Sequence, residues 1–248
     1  MADPTIKVVP DSAAIAAEAA QKIVETADGA IADHGNFSIA LSGGSTPKTL
    51  FKLLATEPYS QHIDWKNWQI YFGDERCVPP AHADSNFRMA RESLLDHVPI
   101  PPEHIYRMKG EIEPQQAAIE YGQLLKQNFG EGGLDVILLG MGDDGHTASL
   151  FPHTAALGET SHRCVANYVE KLGVWRITMT APFINRARHV IVMVSGAAKA
   201  QRIDQVLQGP PDPQTLPIQM IRPTNGEMLW IMDAGAAGMM EEEMPNAE

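Results

Sequence analysis

Short, strongly apolar runs alternate along the chain with longer segments in which apolar positions recur every three or four residues. Phe37-Ser38-Ile39-Ala40-Leu41, Trp68 to Phe72, Asp135-Val136-Ile137-Leu138-Leu139, Arg176 to Thr180, His189 to Val194 and Met228 to Met232 read as strands. Between them the spacing predicts helices. The first runs over Asp11–Ala32, with Ile15, Ala19, Ile23 and Ala27 on one face and Asp11 or Ser12 as its cap. Others follow at Lys48–Ala55, capped by Thr46 with Pro47 at the first position, at Asp84–His97, at Pro114–Phe129, and at Ala197–Leu207. Strands that are apolar on both faces and alternate with helices predict an α/β fold, a mostly parallel sheet with helices on both faces. One domain over residues 1–240 is expected, followed by an acidic, disordered tail at 241–248 that carries four glutamates and a proline.

Composition narrows the classes. The chain has 248 residues, with 31 acidic against 19 basic side chains and a net charge of −12, which argues against binding a phosphate backbone. No nucleic-acid partner is expected. No apolar run approaches the ~20 residues of a membrane helix, and Met1-Ala2-Asp3-Pro4 does not open a secretory signal. The only two cysteines, Cys77 and Cys164, cannot form a disulfide framework or a four-thiolate metal site, and are expected to be reduced. A cytoplasmic protein, off the membrane, is the expectation.

In an open α/β sheet, ligands collect at the carboxyl ends of the strands. Four segments there are unusual. Ser42-Gly43-Gly44-Ser45-Thr46-Pro47 puts two glycines and three hydroxyls between a strand and a helix start, a setting suited to a phosphate group. Lys48-Thr49 follows, but Pro47 stands where a nucleotide P-loop needs glycine, so a nucleoside triphosphate is excluded. Gly140 to Gly145 matches G-x-G-x-x-G, yet it follows a late strand and carries Asp143 and Asp144 where a pyrophosphate would approach. A dinucleotide cofactor is therefore not expected.

His146 comes next, at a strand end beside a predicted helix start, and histidine is the side chain best matched to base work near neutral pH. Asp144 or Asp143 could fix its tautomer. The other histidines, such as His62, His97 and His104, read as structural. In Gly73-Asp74-Glu75-Arg76, the guanidinium of Arg76 can hold an anion, and strand parity turns Asp74 to its side and Glu75 away. Lys199, in Ser195-Gly196-Ala197-Ala198-Lys199, falls in a first helical turn, where a cation opposes the dipole unless an anion sits nearby. No spacing typical of metal ligands and no G-x-S-x-G elbow occurs, so neither a metal nor a serine nucleophile is indicated.

Together LSGGSTP (Leu41 to Pro47), FGDERCVP (Phe72 to Pro79), DSNFRM (Asp84 to Met89), LGMGDDGHTASLFP (Leu139 to Pro152) and SGAAK (Ser195 to Lys199) resemble the loops of 6-phosphogluconolactonases, in that family's order. The resemblance implies a Rossmann-like fold shared with glucosamine-6-phosphate isomerases, without a nucleotide cofactor. It implies hydrolysis of 6-phospho-D-glucono-1,5-lactone to 6-phospho-D-gluconate, and the expected reaction uses histidine-activated water with no metal and no cofactor. By it His146 becomes the general base and Asp74 the acid of the D-E-R motif; Asp144, from its position, is expected to join them as a catalytic residue. Arg76, Lys199 and the loop Ser42, Gly43, Gly44, Ser45 and Thr46 then contact the anionic substrate. Oxyanion donors are left open between Arg76 and amides of the Gly140–Gly145 turn.

The related isomerases are the competing reading. They continue the motif with isoleucine after the histidine and an asparagine-glutamate-proline ending. Here no glutamate falls between His146 and Glu159. A non-catalytic sugar-phosphate sensor is a third reading, but residues 1–35 offer no basic recognition face for DNA. A monomer or small homo-oligomer is expected.

Overall fold

The computed structural model describes residues 3–239. The tail expected at 241–248 lies outside them. The strands are β1 (Thr5–Val9), β2 (Phe37–Leu41), β3 (Trp68–Phe72), β4 (Asp74–Arg76), β5 (Val136–Leu139), β6 (Cys164–Val169), β7 (Val174–Met179), β8 (His189–Val194) and β9 (Glu227–Asp233). The helices are α1 (Ser12–His34), α2 (Ser45–Leu54), α3 (Tyr59–His62), α4 (Asn86–Ser93), α5 (Pro114–Phe129), α6 (Ala181–Ile184) and α7 (Ala200–Leu207). Six strands form one sheet in the order β1-β9-β8-β5-β2-β3, and every pairing in it is parallel. A second sheet, β4-β7-β6, is antiparallel.

Successive side chains of a strand point to opposite faces, and the central strands divide their apolar residues accordingly. Phe37, Ile39, Leu41, Val136, Leu138, Ile191 and Met193 enter one core with α1, α2 and α4. Ala40, Ile137, Leu139, Val190, Val192 and Val194 enter the other, with α5, α7 and the small sheet. Because both faces are covered, these strands are apolar throughout. The caps are chemical as well as positional. Asp11 accepts a hydrogen bond from the amide of Ala14 at the start of α1, and Glu113 accepts one from the amide of Gln116 ahead of Pro114 in α5.

The mostly parallel α/β architecture agrees with the sequence reading, with four local differences. α2 begins at Ser45, a turn earlier than expected, with Gly44 rather than Thr46 as its cap. The helix expected over Asp84–His97 stops at Ser93, because Leu94 leaves the helical region, and a separate 3-10 turn covers Leu95–His97. The segment from Ala197 opens as a 3-10 turn, with α7 beginning at Ala200. Finally, no helix starts beside His146: the chain after β5 runs through turns to a 3-10 segment at Ala155–Gly158. This removes the helix a dinucleotide fingerprint requires. Strands β1, β4 and β6 are additions to the expected set.

No helix among the described residues is long and apolar enough to cross a membrane. Cys77 and Cys164 are both free thiols.

Candidate active site

The loops after β2, β3, β5 and β8 converge at the carboxyl end of the parallel sheet around a cleft of about 300 Å³. Of the ten residues singled out in the sequence, nine line it: Ser42, Gly43, Gly44, Ser45, Thr46, Asp74, Arg76, His146 and Lys199. The tenth, Asp144, stands behind His146. Among the described residues no group of three or more His, Cys, Asp or Glu side chains is arranged to hold a metal.

The first wall is the start of α2. No side chain caps this helix, so the orphan amides of its first turn are available to whatever occupies the cleft. Gly43 permits the tight fit of this loop, since a Cβ there would collide with the side-chain amide of Asn86. Asn86 is itself buried and donates from Nδ2 to the backbone carbonyl and the carboxylate of Asp74, at 3.0 and 3.1 Å.

The second wall is β4, reached when the chain leaves β3 at Gly73 and crosses to the small sheet. The Gly73 amide still donates to Leu41 of the large sheet, while its carbonyl accepts from Met179 of the small one. Asp74 accepts from Ser149 Oγ at 2.6 Å, so both its oxygens are engaged. Glu75 turns to the other side and is buried at the start of α4. It accepts from the amides of Arg76, Asn86 and Phe87 and from Ser85 Oγ. Burial raises its pKa, and the backbone donors oppose that rise.

The third wall is the turn after β5. The Gly142 amide donates to the His146 carbonyl and the Gly145 amide to the Gly142 carbonyl, folding the chain so that the imidazole lies over Gly142. A Cβ at Gly142 would collide with that ring. Nδ1 of His146 lies 2.5 Å from Asp144 Oδ1, and the ring stacks on Phe151 with centroids 4.0 Å apart. Nε2 has no hydrogen-bond partner among the described residues. Ala148, the cleft residue two places on, is held at φ 48°, a left-handed conformation that a non-glycine residue adopts at a cost. Burial pushes the imidazole pKa down to about 4, and Lys199 and Arg176 push the same way, against Asp74 and Asp143. Asp144 also favours the protonated ring, through the hydrogen bond at Nδ1.

The fourth wall is the turn after β8. Its shape is set by Asp233 at the end of β9, which accepts from Ser195 Oγ at 2.5 Å and from the amides of Gly196 and Ala236. Lys199 donates to the Met141 carbonyl at 3.0 Å and pairs with Asp143. The carboxylate that offsets this cation at a helix start is therefore part of the protein itself, supplied by the β5 loop.

Three contributors were not singled out in the sequence. Asn86 and Ser149 hold Asp74. Arg176 on β7 lies directly opposite Arg76 across the small sheet. Like charges facing each other across a strand pair are unfavourable, and neither guanidinium pairs with a carboxylate among the described residues. Burial and the neighbouring Arg76 both hold the Arg176 pKa down. The two guanidiniums line an adjoining cavity together, and Arg76 also reaches the cleft. Only the β4–β7 pairing reveals this, because Arg76 and Arg176 are a hundred positions apart in the sequence.

The fold and the cleft define an α/β protein of the Rossmann-like type, with a small cleft lined by Arg76, Lys199 and a glycine-rich helix start, and one histidine backed by a carboxylate. Comparison with known proteins agrees. The model of the family described as glucosamine-6-phosphate isomerases/6-phosphogluconolactonase matches residues 10–230. A 6-phosphogluconolactonase from Nostoc sp. is 43% identical over 238 residues, covering 94% of this chain and 96% of the relative. The solved 6-phosphogluconolactonase from Trypanosoma cruzi superposes with a TM-score of 0.86 at 30% identity, covering 96% of this chain and 97% of that one. A monomeric glucosamine-6-phosphate deaminase shares the fold, with a TM-score of 0.79 at 17% identity over 94% of this chain and 99% of its own. The chain belongs to the glucosamine-6-phosphate isomerase/6-phosphogluconolactonase family.

Proposed function

We propose that the protein hydrolyses 6-phospho-D-glucono-1,5-lactone to 6-phospho-D-gluconate, the lactone-opening step of the oxidative pentose phosphate pathway. The lactonases named among its relatives support this substrate. The observation that carries the reaction type is the His146–Asp144 pair: Nδ1 is bound to the carboxylate and Nε2 has no partner among the described residues, in a cleft that Arg76 and Lys199 also line.

In this mechanism Nε2 of His146 takes a proton from water while the water oxygen attacks C1. The bond between C1 and the ring oxygen breaks, and the proton returns to that oxygen as it leaves as a hydroxyl. The product acid then ionises in solution. Such acid–base transfer contributes roughly 10²–10⁴-fold. Asp144 holds the tautomer. Asp74, fixed by Ser149 and Asn86, faces the developing imidazolium with negative charge. Arg76, Arg176, Lys199 and the Ser42 to Thr46 loop bind the phosphate end, so contacts remote from C1 orient C1. Within the pocket they outweigh the overall charge of −12, whose long-range repulsion salt screens beyond ~8 Å.

An isomerase of the same fold would need a carboxylate for ring opening. The first glutamate after His146 is Glu159, and its carboxylate is occupied by the amides of Ser161 and His162, at 2.5 and 2.8 Å, outside the cleft. That favours the lactonase. The unbridged cysteines fit a cytoplasmic setting. The test generates the lactone in situ from glucose 6-phosphate and follows its decay. Acceleration over the spontaneous rate, undiminished by EDTA, is expected. Turnover of glucosamine 6-phosphate instead would overturn the reading.

A further inference from the structure

Asp144 has a second partner that the mechanism above leaves unused. β6 and β7 form a hairpin closed by the Glu170–Leu172 turn, with the Gly173 amide donating to the Val169 carbonyl at 2.9 Å. This turn swings over the β5 loop and delivers Lys171, whose ammonium pairs with Asp144 Oδ2 while Oδ1 faces His146. The same ammonium lies 5.0 Å from the centre of the Phe151 ring, and that ring is the one stacked on His146. Lys171 thus touches two side chains that contact the imidazole, without lining the cleft itself.

A carboxylate two residues from the histidine it serves has a choice of rotamers and of oxygens. With one oxygen engaged by Lys171, the other is held in place to accept from Nδ1. We propose that Lys171 is a positioning residue, which anchors Asp144 and Phe151 so that His146 keeps its proton on Nδ1 and leaves Nε2 free. This rests on the reading of His146 as the base. Lys171 is about half exposed, and an ion pair open to solvent adds little to folding stability, so its effect is geometric. The other charges facing His146 come from every side: Asp74 on β4, Arg176 on β7, Lys199 ahead of α7, and Asp143 on its own loop. Removing the Lys171 cation frees the Asp144 carboxylate beside the ring from its partner, which leaves the protonated ring better stabilised.

The experiment compares wild type, Lys171→Ala, Lys171→Arg and the neighbouring control Leu172→Ala. It reads steady-state lactone hydrolysis across pH, and the tautomer of His146 from imidazole nitrogen shifts in the labelled protein. For Lys171→Ala we expect kcat to fall about tenfold with KM within about twofold, as for a misplaced catalytic group. The acid limb of kcat/KM should move to higher pH, the nitrogen shifts should report mixed tautomers, and melting should be unchanged. Lys171→Arg should recover most of the rate, and Leu172→Ala should match wild type. Unaltered nitrogen shifts and kcat in Lys171→Ala would overturn the proposal, as would a rise in KM alone, which would make Lys171 a substrate contact. Failure of the base assignment is separable, because His146→Ala would then retain turnover whatever the tautomer populations show.

Discussion

Asp74 and Glu75 are consecutive residues whose carboxylates lie on opposite sides of β4. Asp74 faces the cleft, held by Ser149 and Asn86, and Glu75 faces the start of α4, where it accepts four hydrogen bonds. The extended backbone of three residues is enough to separate a carboxylate that lines the cleft from one that holds a helix. Asp74→Asn keeps the shape but removes the charge, and turnover is expected to fall at least tenfold with little change in melting. Glu75→Ala strands buried donors, a cost of about 1–3 kcal/mol, and should lower the melting temperature by several degrees. Kinetics and calorimetry on the two variants separate these roles.

Gly142 offers a geometric prediction. Because a Cβ there would run into the His146 ring, Gly142→Ala must displace the imidazole. Turnover should drop about 10²-fold while the parallel sheet stays folded, since misplacing a catalytic group by an ångström has an effect of that order. Circular dichroism beside kinetics reads both. A fully active Gly142→Ala protein would mean that the ring position is not critical.

Arg76 and Arg176 face each other across the strand pair, and neither pairs with a carboxylate among the described residues. An anion shared by both should be lost when either is removed. Arg76→Ala and Arg176→Ala are each expected to raise KM by tenfold or more, at about 1.5–3 kcal/mol per charged hydrogen bond, with a smaller effect on kcat. Inorganic phosphate should inhibit the wild type competitively, and either variant much less. An unchanged KM in both would move the phosphate elsewhere in the cleft.

The pH dependence follows from the buried imidazole. A base works while neutral, and burial lowers the His146 pKa to about 4. The acid limb of kcat/KM should therefore lie well below the ordinary histidine value of roughly 6.5. Stability carries the same sign. Between about pH 6.5 and 4 the unfolded chain binds a proton at this site that the native state does not, so His146 lowers stability progressively as pH falls through that window. His146→Gln should remove this part of the slope in a melting-against-pH series.

Much of the fold and of the cleft is readable in the sequence because the signals are local. Apolar runs such as Val136 to Leu139 are buried on both faces, and runs of that kind alternating with helices point to a parallel sheet. The loops carrying His146, Asp74, Arg76 and Lys199 mark themselves by glycine and charge at strand ends. Strand parity correctly separates Asp74 from Glu75. The parts that cannot be read depend on pairing between distant residues. β4 is three residues long and has no periodicity of its own, and β6 alternates too weakly to stand out, with Cys164, Asn167 and Val169 inward and Tyr168 exposed. Without the small sheet, Arg176 has no reason to meet Arg76. The early start of α2 is obscured because Thr46 and Pro47 imitate a cap and first position, whereas Gly44, at φ 108°, takes the cap.

The proposed role of His146 as the base on a sugar-phosphate lactone carries the proposed mechanism. The direct measurement follows the decay of 6-phosphogluconolactone generated in situ, with wild type, with His146→Ala and with no protein. Strong acceleration by the wild type is expected, with a loss in kcat of roughly 10²–10⁴-fold in His146→Ala and a KM changed by only a small factor, because phosphate binding is left intact. Turnover in His146→Ala close to wild type would contradict that role.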